Sequence, residues 1–186
     1  MGIEKQRYLY PKFNKMIIEI DKVVAMTYEL KIKNEQSEWE LVDSSQEGHP
    51  LVFLYGHGNL IVGFEYNVQG LKAGDNYDFK VSPEEGYGVS DPRQVVNLPI
   101  DTFRDQEGKL MDDILVIGTA VPMNNDEGHS ITGIIKGITS TEVIMDFNHS
   151  MADKELHFTG TIVSVRPATP DEISHGHVHG AGGVHH

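Results

Sequence analysis

Cysteine is absent from this chain, which excludes disulfides, thiol catalysis and cysteine-based zinc sites together. Basic residues are scarce as well: 15 Lys and Arg stand against 28 Asp and Glu, a formal net charge of −13. A surface of that sign argues against nucleic acid as a partner, because phosphate binding needs a basic footprint. No apolar run approaches the roughly 18 residues of a membrane span, so no membrane is expected. A phosphate-cradling glycine motif is also missing. In "LYGHGNLIVGFE", Gly56 and Gly58 would require a third glycine at 61, where Ile61 stands, and no Gly-Lys-Ser/Thr follows. Residues 1–15 lack the apolar core of a secretory signal. They form a basic extension of about +3 (Lys5, Arg7, Lys12 and Lys15 against Glu4) on a body of about −16. A cytoplasmic, soluble protein is the expectation.

What is present is mostly period-two patterning. Val24, Met26, Tyr28, Leu30 and Ile32 alternate with Val23, Ala25, Thr27, Glu29 and Lys31, the mark of a half-buried strand. "EWELVDSS" continues the pattern to turn formers, and Tyr77, Phe79 and Val81 alternate again before the turn-rich "SPEEGYGVSDP". Leu60, Ile61, Phe64, Val68 and Leu71 fall instead at helical spacing, with Asn59 as the expected N-cap and Gly70 as the stop. From about Gln94 to Asn148 the chain carries separate apolar segments, "ILVIGTAVP", "ITGIIKGI" and "TEVIMDF", the last two joined by a hairpin at Thr139 and Ser140. "LHFTGTIVSV" gives one more strand, and the closing "SHGHVHGAGGVHH" has no apolar period and is expected to be a flexible tail.

Taken in order, "VVAMTYEL", "LVDSS", "PLVFLYGHGNLIVGFE", "EEGYGVSD" and "LHFTGTIVSV" resemble the landmarks of the FKBP-type peptidyl-prolyl isomerases. The β-rich insertion and the His-rich tail are similar to the SlyD-like subfamily. The resemblance spans roughly residues 20 to 180. It implies a mostly β (α+β) fold, an antiparallel sheet wrapped on one short helix, with a small β-rich domain inserted in the flap. It also implies an isomerase domain at 16–92 and 149–171, an insert at 93–148 acting as chaperone, and a tail at 172–186. Carried over motif by motif, Tyr28, Asp43, Tyr87 and Phe158 are the expected catalytic set, Tyr87 as a donor and Asp43 in a supporting electrostatic or hydrogen-bonding role. Val42, Leu51, Phe53, Leu60, Ile61 and Phe64 are the expected substrate-binding set. Phe64 stands where the commonest eukaryotic pattern has tryptophan, and Leu51 where it has phenylalanine.

The expected activity is cis/trans isomerisation of X-Pro bonds in unfolded or partly folded clients, by a monomer and without a cofactor. The competing readings are a non-catalytic holdase, its apolar strands adding to extended clients, and a nickel-handling metallochaperone with metal-enzyme maturation factors as partners. For metal, His175, His177 and His179 project to one side of an extended chain, and the glycines that follow can bring His185 or His186 back as a further ligand. Neutral imidazoles without thiolate suit Ni²⁺, Zn²⁺ or Cu²⁺ rather than Mg²⁺ or Ca²⁺.

Overall fold

The computed structural model describes residues 16–45, 48–105, 107–111, 113–125 and 127–178. The chain divides after Val81 and again before Glu155, so that Ser82–Lys154 forms one compact unit and the flanking segments form the other.

In the outer unit, the alternating stretch becomes β1 (Lys22–Lys33), a strand long enough to organise three others. One edge of β1 pairs along its length with β9 (Leu156–Pro167). The opposite edge is shared, its N-terminal half taking β3 (Leu51–Leu54) and its C-terminal half β2 (Trp39–Ser44). On the far side of β9 lies β4 (Asn76–Val81). Every pairing is antiparallel. The inward-facing residues, among them Val24, Met26, Tyr77, Val81, Leu156, Phe158 and Ile162, close over α1 (Val62–Val68) through Phe64 and Val68. Seven residues are too few for a stable isolated helix; packing of that face supplies the stability.

Gly70 ends α1 as expected, with a left-handed φ of 80° and its N–H donated to the Ile18 carbonyl at 2.9 Å. The N-cap is different from the expectation. Ile61 occupies it without any side-chain cap bond, and Asn59 is used elsewhere.

The C-terminal end also departs from the expected flexible tail starting at 172. Thr169 caps a second helix, α2 (Pro170–His175), through a capping box with Glu172, and Gly176 closes it in the left-handed conformation. Val178 is then buried with Val23 and Leu54. The sequence "TPDE" holds the signal, a cap residue, Pro at the first helical position and Glu at the third; the run of histidines behind it obscured the pattern. Glu172 itself is buried and receives two bonds from the Arg166 guanidinium, 2.7 and 2.8 Å. Chiefly through those bonds, its carboxyl is held down at about 2. A folded-state pKa below the unfolded one stabilises the fold above about pH 4.5, and that contribution is lost as pH falls toward 2. We expect Glu172→Gln to lower stability at pH 6 by about 2 kcal/mol, allowing for the exposure of Arg166, and to flatten the dependence between pH 5 and 2. Urea titrations across that range check it; parallel curves for the two proteins would refute it.

The central unit carries its own sheet, in the order β5 (Val95–Pro99), β8 (Glu142–Asp146), β7 (Ser130–Ile138), β6 (Ala120–Asn124). Its core is Phe103, Val121, Ile135, Val143 and Met145. The hairpin at Thr139 and Ser140 forms, with Thr139 donating its N–H to the Glu142 carbonyl. "ILVIGTAVP" is not a strand over its length. Gly118, at φ 90°, turns the chain, and the strand itself begins only at Ala120. The segments 82–92 and 149–154, assigned above to the isomerase domain, fall within this compact unit. Bonds across its neck explain why. Asp91 N–H donates to Asn148 Oδ1 (2.7 Å), Asn148 Nδ2 returns to the Asp91 carbonyl (3.1 Å), and Ser90 N–H reaches Asp153 Oδ1 (2.8 Å).

Candidate active site

The expected pocket residues of the outer unit gather around α1. Phe64 is buried, and three aromatic rings meet it edge-on: Phe158 at 4.8 Å between centroids, Phe79 at 5.3 Å and Tyr77 at 5.8 Å. Edge-to-face packing sets the positive ring edge against a negative ring face, which fixes ring orientation beyond simple burial. Leu60, Ile61, Leu51 and Tyr28 are half-buried against the same cluster. These side chains form one apolar cluster.

At its rim stand Tyr28 and Asp43. The β1–β2 register shifts between Leu30 and Lys31, pairing Leu30 with Asp43 and Lys31 with Leu41, so Val42 is the extra residue of a bulge. Bulges re-aim side chains. Here Tyr28 Oη donates to Asp43 Oδ2 at 2.8 Å, Asp43 Oδ1 accepts the Ser44 N–H at 2.8 Å, and Val42 stays partly exposed. A groove of about 620 Å³ beside this pair, lined by Ser44, Ser45, Gly48, Pro50 and Val163, shares only Tyr28 with the expected set.

Phe53 does not fit its expected role. It is fully buried in the sheet core and presents no surface to a ligand. Tyr87 belongs to the central unit, where its partly exposed ring stacks on His149, centroids 4.1 Å apart and planes within 3°. Tyr28, Asp43 and Phe158 are thus assembled on one unit, and Tyr87 is described on the other.

Sequence reading missed two contributors, Tyr77 and Phe79, which it treated only as strand alternation. Tyr77 Oη donates to the Thr27 carbonyl at 2.8 Å. Burial, with Tyr28 adding to it, pushes the phenol far above its ordinary pKa, so it remains a donor. The signal available was the aromatic pair at i and i+2 on a strand whose alternate positions face the helix.

The central unit presents an apolar groove of about 410 Å³ between Phe103, Met111, Ile114, Val121 and Met123, beside edge strand β6. Val116 and Ile117, which follow Ile114 closely in sequence, are 55% and 65% exposed. Pro122, without an N–H, sits mid-strand, so β6 is a partly blunted edge. Among the described residues the other edge, β5, pairs with β8 alone.

Of the five expected metal ligands, His175 and His177 are exposed and their rings lie 5.9 Å apart. A helix end followed by the left-handed Gly176 brings them together, not an extended chain. His179, His185 and His186 lie outside the described residues. Among the described residues no three His, Cys, Asp or Glu converge as a metal site, and no helix is long and apolar enough to cross a membrane.

Comparison with known proteins follows the same outline. Residues 15–102 match the family described as FKBP-type peptidyl-prolyl cis-trans isomerase. The chain is 37% identical over 166 residues to the FKBP-type peptidyl-prolyl cis-trans isomerase SlyD of Haemophilus influenzae, covering 89% of this chain and 82% of that one. Its counterpart in Vibrio cholerae is 38% identical over 168 residues (90% and 78%), and that in Escherichia coli 34% over 166 (89% and 79%).

Proposed function

The chain belongs to the FKBP-type peptidyl-prolyl cis-trans isomerases and is an enzyme of that activity; from this premise we propose that it catalyses X-Pro isomerisation in unfolded proteins, with the outer unit as catalyst and the central unit as client-holding chaperone. The observation that carries the catalytic assignment is the aromatic floor of Phe64 and Phe158 below the hydrogen-bonded Tyr28 and Asp43. An X-Pro bond is kept planar by amide resonance behind a barrier of about 20 kcal/mol and turns over in tens of seconds unaided. Resonance places charge on oxygen and nitrogen, so an apolar pocket disfavours the planar amide more than the twisted one. Each ~1.4 kcal/mol gained in that difference accelerates the step tenfold. No nucleophile is needed. Asp43 is assigned as the acceptor that fixes Tyr28; the Tyr87 hydroxyl is assigned as donor to the rotating carbonyl on the motif match alone.

Proline-limited refolding of a reference protein, with and without catalytic amounts of this chain, tests the assignment. The slow phase should accelerate in proportion to enzyme. Tyr87→Phe should lower the acceleration about tenfold while urea stability stays unchanged; equal rates would remove Tyr87 from the chemistry.

The chaperone role rests on the groove of the central unit and the exposed Val116 and Ile117, which offer apolar surface to an extended client; both sheet edges offer backbone pairing. We place the enzyme in the cytoplasm as a monomer, consistent with the absence of cysteine. For the tail we propose Ni²⁺, or Zn²⁺ or Cu²⁺, on His175 and His177 with His179, His185 and His186 completing the set. Isomerisation itself requires no cofactor in this scheme. Because α2 and Val178 are structural, the informative truncation ends at Val178. Calorimetric titration with Ni²⁺ should show tight binding by the full chain and at least tenfold weaker binding by the truncated one. Because each imidazole must be unprotonated to ligate, affinity should fall with acidification. Similar binding by both chains would move the site off the last eight residues.

A further inference from the structure

The floor residues Leu60 and Ile61 end a loop, Tyr55–Ile61, whose Gly56 and Leu60 N–H groups face the Glu65 carboxylate. Two of its residues, Gly56 and Gly58, adopt left-handed conformations, φ 85° and 70°. Backbone bonds hold its two ends. Tyr55 N–H donates to the Lys22 carbonyl, and the Ile61 carbonyl accepts from Phe64 and Glu65. Between those ends the anchors are side chains. His57 Nε2 meets Asp21 Oδ1 at 2.8 Å. Asn59, half-buried, bonds in two directions: Oδ1 accepts the Leu54 N–H at 3.1 Å, and Nδ2 donates to the Gly176 carbonyl at 2.9 Å, 117 residues away in sequence.

Asn59 lies two residues before the N-cap position, held by Ile61, and makes a tertiary tie instead. The far end of the tie is well seated. Gly176 caps α2, whose Glu172 is clamped by Arg166, and two residues on Val178 is buried against Leu54, whose N–H Asn59 holds. Strand β3, the pocket loop and the C-terminal turn thus close one ring of contacts. The amide side chain supplies both the acceptor and the donor this tie needs.

We infer that Asn59 is a positioning residue and that the segment Pro170–Val178 is a strap, which together hold Leu60 and Ile61 in the geometry the proline pocket requires. This rests on the isomerase site proposed above. Asn59→Asp in the full chain separates the two halves of the tie, because it keeps the acceptor for Leu54 and loses the donor to Gly176. Turnover of the blocked tetrapeptide Ala-Leu-Pro-Phe, measured by NMR exchange, should show kcat/KM roughly threefold to tenfold lower, the loss of one hydrogen bond between partly buried groups. Amide hydrogen exchange should quicken at Leu60 and Ile61 and stay unchanged at Val24 and Phe79. Val178→Ala, which loosens the strap from the other side, should give the same local signature, and the double variant should fall short of the product of the two effects. The inference is overturned if Asn59→Asp turns over the peptide like the wild type, or if exchange rises uniformly across the sheet, which would mark general destabilisation. No turnover by the wild type would instead remove the isomerase site, and the strap's role with it.

Discussion

Replacing Gly160 by alanine should destabilise the protein by at least about 3 kcal/mol and lower its Tm by roughly 10 °C. The position is crowded by backbone. A Cβ there would fall against the Thr27 carbonyl oxygen and 2.6 Å from Tyr77 Oη. These are the two partners of the bond that ties β4 to β1 across β9, Tyr77 Oη to the Thr27 carbonyl. Glycine lets the phenol pass over β9 at that point. Gly160 also sits two residues from Phe158, so the strand carrying that core ring would have to shift to admit the methyl group. Removing the hydroxyl with Tyr77→Phe costs only about 1 kcal/mol by itself. It should not rescue Gly160→Ala, because the carbonyl clash remains. Thermal unfolding of the two single variants and the double variant decides this. A Gly160→Ala protein within about 1 kcal/mol of wild type would mean that the crossing is looser than described.

That crossing was not legible in the sequence, where Gly160 reads as an ordinary residue of "HFTGTIV". The features that could be read were the local ones. The alternation from Val24 to Ile32 gave β1, Gly70 gave the end of α1, and Thr139 with Ser140 gave the β7–β8 turn, since each follows from a single residue's conformational preference or from period. Features that need a partner far along the chain were not readable. Asn59 looked like a cap because nothing nearby shows that its amide finds Gly176. The compact central unit extends beyond 93–148, its neck being closed by Asp91 with Asn148 and Ser90 with Asp153, pairs 57 and 63 residues apart. Phe53 was placed in the wall by motif position, but alternation within a four-residue strand could not say that its ring faces the sheet core. In the candidate site the apolar residues were named by resemblance. The bulge at Val42 that turns Asp43 toward Tyr28 came only with the register.

The neck bonds also define how the central unit can be removed. Exchanging residues 92–147 for a short loop keeps Asp91 and Asn148, and with them the two bonds that clasp the strand ends; Tyr87 and His149 stay as a stacked pair. With the outer unit's core intact, turnover of a tetrapeptide should remain within about threefold of the full chain, since so small a substrate occupies only the pocket. Catalysis on an unfolded protein should fall about 100-fold. The difference follows from effective concentration. A client held on the apolar groove near Met111, Ile114 and Met123 is tethered to the same chain as the pocket, and its prolines reach that pocket at an effective concentration near millimolar. Without the groove, encounters depend on client concentration, typically micromolar, and on one proline at a time. Adding the excised unit as a separate chain should not restore the rate, because the tether is lost. Equal acceleration of refolding by the shortened and full-length enzymes would remove the holding role from the central unit and leave the pocket acting alone.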